Sequence, residues 1–274
     1  MKYGICNETF QDWPFDKAFA FAAECGYTGV EFAPFTINKN AAEITPEQRR
    51  EAREQARAAG LEVIGLHWLL AFTEGLYWTS PDADVRRRTS EYLRELARLC
   101  RDLGGEVMVL GSPLQRNLLP GVSMDEAMKY AADVVRDAEQ EFANCGVVLA
   151  LEPLGPQEGD FLVTADEGAA LMDMIDSPQV RLHLDVKAMS SESLPIPEVI
   201  RKHGGRMAHF HANDANRRGP GMGDIDFVPI LQTLKDVGYD GWVSVEVFDY
   251  EPGIEALAGD SIRYLKDCWA KING

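Results

Sequence analysis

One local pattern recurs along this chain and restricts its fold more than any other feature. A helical stretch ends, a glycine follows, and a short apolar run begins. The pattern stands in "AECGYTGVEF", "ARAAGLEVIGLH", "CRDLGGEVMVLG", "FANCGVVLALEP", "RKHGGRMAHFHAND" and "LKDVGYDGWVSVEV". A glycine just past a helix can take the left-handed conformation that closes it. The Val, Ile and Leu that follow suit strands buried on both faces of a parallel sheet. A seventh junction, "MIDSPQVRLHLD", has Pro178 in place of the glycine, and the opening "KYGIC" supplies an eighth strand.

The segments between these runs have helical period and recognisable starts. Thr45 precedes Pro46, an N-cap followed by proline at the first helical position. Ser80-Pro81 is expected to start the next helix in the same way. Ser123 with Glu126 three residues on forms a capping box. Eight alternations of strand and helix without a linker predict a (β/α)8 TIM barrel, one domain over residues 1–274. An open doubly wound sheet is the alternative, but no glycine-rich dinucleotide loop follows the first strand.

A barrel of this kind carries its active site at the C-terminal ends of the strands. The first four are expected to end at Cys6-Asn7, Glu31-Phe32, His67-Trp68 and Gly111-Ser112. The last four end at Glu152, Asp185, His211 and Glu246. Three carboxylates and one imidazole form a hard to borderline donor set for one divalent ion, Mn²⁺ above all, with Mg²⁺, Co²⁺ or Zn²⁺ as alternatives. Without a cation, three converging carboxylates would repel and lose charge. His183 and His209, two residues before Asp185 and His211, lie one layer deeper and are expected to be structural.

The charge balance narrows the partners. The chain has 27 basic and 44 acidic residues, formally −17, which disfavours a phosphate backbone. Its five cysteines are odd in number and lack a CxxC spacing, as expected of free thiols in a reducing compartment. The start "MKYGICNETF" has no apolar signal core, and no run is long enough to span a membrane. A cytoplasmic location, with neither nucleic acid nor membrane as partner, is the expectation.

The segments "LEPLGPQE", "HLDVKAM", "FHANDANRRGPGMGDIDF" and "VSVEVF" resemble those of the xylose isomerase-like barrels, most closely the ketose 3-epimerases of the tagatose/psicose type. The resemblance runs the length of the chain. It implies an isomerase or epimerase in which Glu152, Asp185, His211 and Glu246 hold the metal. Glu152 and Glu246 would also act as the acid/base pair on a small sugar or sugar-derived ketone. It places Glu158 and Arg217 at substrate hydroxyls, gives His67 a contact to substrate or metal, with a satisfied structural histidine as an equal reading, and implies a homodimer or homotetramer. Trp68, Phe248 and Trp13 are candidates for walls that exclude water. The expected chemistry is proton abstraction beside a carbonyl, with the ion stabilising the enediolate.

One position departs from the family. The ketose 3-epimerases typically read Leu-Asp-x-x-His-Met where this chain has Leu184-Asp185-Val186-Lys187-Ala188-Met189. Either a neighbouring cation such as Lys187 replaces the lost donor, or position 188 has been vacated for a larger substrate. The departure keeps open a lyase of the same fold, such as an inosose dehydratase or a 3-oxo-glycoside eliminase. Non-catalytic sugar binding and DNA repair of the endonuclease IV type are more remote. The latter would need histidines that Ala188 and Gly111-Ser112 do not supply.

Overall fold

All eight apolar runs form strands, and the strands close on one another. In a computed structural model describing residues 1–273, β1 (Lys2–Cys6), β2 (Gly29–Phe32), β3 (Glu62–Leu66), β4 (Val107–Leu110), β5 (Val148–Leu151), β6 (Val180–Asp185), β7 (Met207–Ala212) and β8 (Trp242–Val245) make one parallel barrel in chain order. β8 pairs with β1 through Lys2–Trp242 to Ile5–Val245 and so leaves no sheet edge. Around it run α1 (Phe15–Cys25), α2 (Pro46–Ala58), α3 (Ala83–Leu103), α4 (Met124–Cys145), α5 (Ala165–Ile175), the short α6 (Val186–Met189), α7 (Ile196–His203), α8 (Phe227–Asp236) and α9 (Ile254–Asn273). Among the described residues no helix is long and apolar enough to cross a membrane.

The helix signals hold with three local differences. Thr45 and Ser123 both make full capping boxes, with Gln48 and Glu126. Gly26, Gly104 and Gly146 close their helices in the left-handed conformation. The start expected at Ser80-Pro81 lies two residues later, because the Asp82 carboxylate accepts from the amides of Asp84 and Val85 and caps α3. At the Pro178 junction Asp176 itself turns left-handed, with φ 55°. Gly204 stays right-handed because the chain tightens there into a 3-10 turn before β7.

The two faces of the barrel strands have opposite chemistry. Val30, Phe32, Leu149, Leu151, Leu184, Phe210, Val243 and Val245 are buried in the apolar core beneath the helices. Their period-two neighbours fill the barrel toward the C-terminal ends with Glu31, His183, Asp185, His209, His211 and Ser244, all buried. A register shift between Leu182 and His183 sets His183 opposite His209 and Asp185 opposite His211. Three imidazoles therefore cluster, with ring centroids 4.2 Å apart for His183–His211, 5.2 Å for His209–His211 and 5.5 Å for His183–His209.

Candidate active site and metal centre

The strand ends converge as the sequence implies. One ligand atom each from Glu152, His183, Asp185 and His211 lie within 4.8 Å of one another. Glu246 joins through its Oε2, 3.0 Å from His211 Nδ1. It also belongs to a second knot with Cys6, Glu8 and His67.

Each donor is held from behind. Asp185 Oδ1 accepts from the Ala188 amide at 2.7 Å, and Oδ2 accepts from Asn213 Nδ2 at 2.5 Å. Asn213 is fixed in turn by accepting from the Lys187 amide. Glu246 Oε1 accepts from Trp68 Nε1 at 2.9 Å. The backbone carbonyl of Glu152 accepts from Arg116 Nη1 at 2.7 Å. His211 Nε2 sits 3.2 Å from Glu31 Oε2, and His209 Nε2 sits 2.7 Å from Glu31 Oε1. A carboxylate on one ring nitrogen turns the other toward a metal, the arrangement that orients ligating histidines in general.

The electrostatics fit a missing positive charge. Burial, with the charges of Glu246 and Asp185, pushes the Glu152 carboxyl well above its usual range. Burial also carries Asp185 up to about 6, with Lys187 opposing and Glu246 adding. Burial works against charge on His211, but Glu246 and Glu31 push its pKa well up. In the chain alone the site thus keeps protons where a divalent ion would take their place. Three buried carboxylates and an oriented imidazole suit such an ion, so the donor set passes the test of its own chemistry.

Above these groups opens a cavity of about 710 Å³. Glu152, Glu246, Glu158, Lys187, Arg217, Trp68 and Phe248 all line it, so every expected substrate contact but one faces the same space. His67 is the exception: its Nε2 is bound to Glu8 Oε2 at 2.5 Å in the interior and it forms no part of the wall, which favours the structural of its two readings. Trp13 also falls away from the cavity and packs edge-on against Phe21. Trp68 does more than wall the pocket, since it stacks with Phe248 at 6.1 Å while holding Glu246.

The structure also settles where position 188 lies. Ala188 is buried and does not line the cavity, whereas Lys187 does. Lys187 Nζ lies 2.6 Å from Glu158 Oε2 and 4.2 Å from the centre of the Phe248 ring. Ala188 thus lies off the cavity wall, and the cation beside it faces the cavity.

His183 is buried as expected, yet neither ring nitrogen has a hydrogen-bond partner, and Nε2 stands 3.8 Å from Glu152 Oε1. Burial and the neighbouring His211 and His209 keep it neutral. Sequence reasoning missed Glu8, Arg116 and Asn213, and it named Glu31 only as a strand end. Asn213, two residues beyond His211 in "HFHANDAN", is the one that period two could have found.

Gly111 shows how tightly the site is built. A Cβ there would overlap Glu152 Oε2 and Cδ. Gly111→Ala is expected to displace that carboxylate and weaken metal affinity at least tenfold while the barrel still folds. Titration with Mn²⁺ alongside circular dichroism checks this, and unchanged affinity would show that Glu152 has another resting place.

With fold and site in view, comparison with known proteins is direct. The family profile for the xylose isomerase-like TIM barrel matches residues 19–268. The chain belongs to that family. It is 32% identical over 276 residues to the D-psicose 3-epimerase of Agrobacterium fabrum, covering 97% of this chain and 91% of that protein. To the probable ketose 3-epimerase of Synechocystis sp. it is 26% identical over 279 residues, covering 93% and 91%. Among solved structures, that of an L-ribulose 3-epimerase superposes with a TM-score of 0.85 at 22% identity, covering all of this chain and 96% of that one.

Proposed function

We propose that the protein is a divalent-metal-dependent ketose epimerase that moves a proton at the carbon beside the carbonyl. One observation carries the reading: Glu152 and Glu246, from non-adjacent strands, face one cavity together with Lys187 and Arg217. The named relatives are epimerases, and the lyase alternative has no support among them.

Glu152, Asp185, His211 and Glu246 would hold the ion, with Mn²⁺ the first choice for a mainly oxygen donor set. When bound, it supplies positive charge beside the oxygens where negative charge grows on deprotonation. The chain's own groups do the rest. One of Glu152 and Glu246 takes the proton from the face it meets, and the other returns one to the opposite face, inverting the carbon. Which acts first depends on which epimer is bound. Trp68 fixes the direction of Glu246, and Arg116 fixes the backbone of Glu152. Trp68 and Phe248 shield the reacting carbon from water. Glu158, Arg217 and Lys187 meet the hydroxyls. The five unpaired cysteines support a cytoplasmic setting, and the net charge of −17 argues against nucleic acid as a partner.

The test is incubation with Mn²⁺ in D₂O across a panel of free ketoses, read by NMR. Deuterium should enter beside the carbonyl of at least one ketose, together with its epimer. A panel without exchange would overturn the proposal.

Lys187 offers a sharper test. If its ammonium donates to a substrate oxygen in place of the absent imidazole, Lys187→Met should lower kcat/KM about tenfold to a hundredfold with metal content unchanged, as losing one charge-assisted hydrogen bond implies. Unchanged turnover would show that the ammonium serves only to neutralise Glu158.

A further inference from the structure

The side chain of Glu152 is held less well than the groups around it. Both oxygens of Asp185 accept hydrogen bonds, one from the Ala188 amide and one from Asn213. Glu246 has Trp68 on one oxygen and His211 on the other. His211 is backed by Glu31. Among the described residues no donor comes within hydrogen-bond reach of either Glu152 side-chain oxygen, and Arg116 holds only its backbone carbonyl. The last torsion of a glutamate is soft, so packing alone does not set the plane of the carboxylate. A base must nevertheless meet its proton along one line.

His183 shows the complementary deficit. Its ring is fully buried at the centre of the barrel, and neither nitrogen has a partner. A buried polar group left so is costly and calls for a reason. Its Nε2 stands 3.8 Å from Glu152 Oε1, too far for a hydrogen bond. The ring has little freedom to move. The strand register sets it opposite His209, and it meets the His211 ring edge-on at 4.2 Å between centroids. Glu152 lines the open cavity, whereas His183 does not. A small turn of the carboxylate therefore closes the gap, and long contacts of this kind tighten when an active site fills. Gly111 lies against the other oxygen, Oε2, so the carboxylate sits between a glycine and an imidazole.

We propose that His183 is a positioning residue for Glu152: its Nε2–H donates to Oε1 in the working site and fixes the carboxylate on one face of the substrate. The proposal rests on the epimerase reading for the reaction. His183 touches no substrate atom and acts only through Glu152. Its counterpart is Trp68, whose Nε1–H holds Glu246. Each acid/base carboxylate then has its own ring N–H, one on the cavity wall and one beneath the floor. The two halves of the reaction can consequently be impaired one at a time.

Deuterium entry into each purified epimer, followed by NMR with Mn²⁺-loaded His183→Met and His183→Gln, tests this. Methionine has no N–H and adapts to irregular gaps. In His183→Met, entry into the epimer whose proton faces Glu152 should slow about tenfold to a hundredfold, the range for losing a group behind a metal ligand. Entry into the other epimer, exchanged by Glu246 alone, should stay near the native rate. Glutamine keeps an N–H, so His183→Gln should regain most of the loss. Metal-free His183→Met should melt no lower than wild type, because it removes an unpartnered polar group. Equal slowing for both epimers, native rates for both, or a His183→Met chain that fails to fold would overturn the proposal. Two imidazole nitrogens bonded to Mn²⁺ in pulsed EPR of the wild type would also overturn it, by making His183 a ligand. If no ketose exchanges in the wild type, the epimerase reading falls. Mn²⁺ titration then still decides the contact: affinity should drop about tenfold in His183→Met and return in His183→Gln, and equal affinities would sink it.

Discussion

Glu246→Gln is expected to lower interconversion of the two epimers by about a thousandfold or more, within the range that a positioned acid/base group supplies. The substitution is conservative for everything except the proton. Glutamine keeps an oxygen for Trp68 Nε1, which lies 2.9 Å from Oε1 in the native protein. It also keeps an oxygen donor for an ion, so metal content at saturating Mn²⁺ should stay near one per chain. Two opposed carboxylates make a further demand. Exchange should persist for at most one epimer, the one whose proton faces Glu152, and Glu152→Gln should show the converse. NMR of each purified epimer in D₂O reads this directly. Near-native interconversion in Glu246→Gln would reduce Glu246 to a ligand.

Metal affinity should fall about a hundredfold or more between pH 7 and pH 5. The sign follows from the raised carboxyl groups. Asp185, with a pKa of about 6, holds a proton below that pH, and the ion must displace it, at tenfold per unit of pH. Glu152, pushed well up by burial and by its neighbours, adds a second proton over a wider range. His211, pushed up by Glu246 and Glu31 against its burial, must also free its Nδ1. All three changes act in one direction: lower pH, weaker binding. Calorimetry in buffers of different ionisation enthalpy counts the protons released, and Asp185→Asn should make the slope shallower. An affinity independent of pH across this range would mean that the donors are already ionised without the metal.

The barrel was legible because its signal is local and repeated. Each glycine after a helix and each apolar run can be read within a dozen residues, and eight copies agree. The convergence of the four strand-end residues was legible for a related reason, since the fold brings those ends together. What the sequence concealed depends on pairings across the barrel. Glu8 neutralises His67 from 59 positions away, and Glu31 anchors His209 from 178 positions away. No spacing rule links such residues, and only closure of the sheet brings them together. That is why the sequence left His67 open between a site contact and a structural role. Position 188 stayed open between two readings for the opposite reason. Its neighbour-by-neighbour comparison was correct, but the short turn after β6 presents Lys187 to the cavity and buries Ala188.

The polar filling of this barrel bears on how such a protein can change over evolutionary time. Many barrels of this type keep branched aliphatic side chains at the centre and leave chemistry to the loops. Here Glu31, His183, His209 and His211 are at once the packing of the barrel and the scaffold of its site. A substitution that retunes a donor also unpairs a buried charge, which costs about 3–5 kcal/mol, a large share of an ordinary domain's stability. The rim of the cavity carries no such burden, since Leu114 and Phe72 can be exchanged with little effect on the core. Inherited variation that survives selection is therefore channelled outward. The proton chemistry stays fixed by its own architecture, and new substrates are acquired at the mouth.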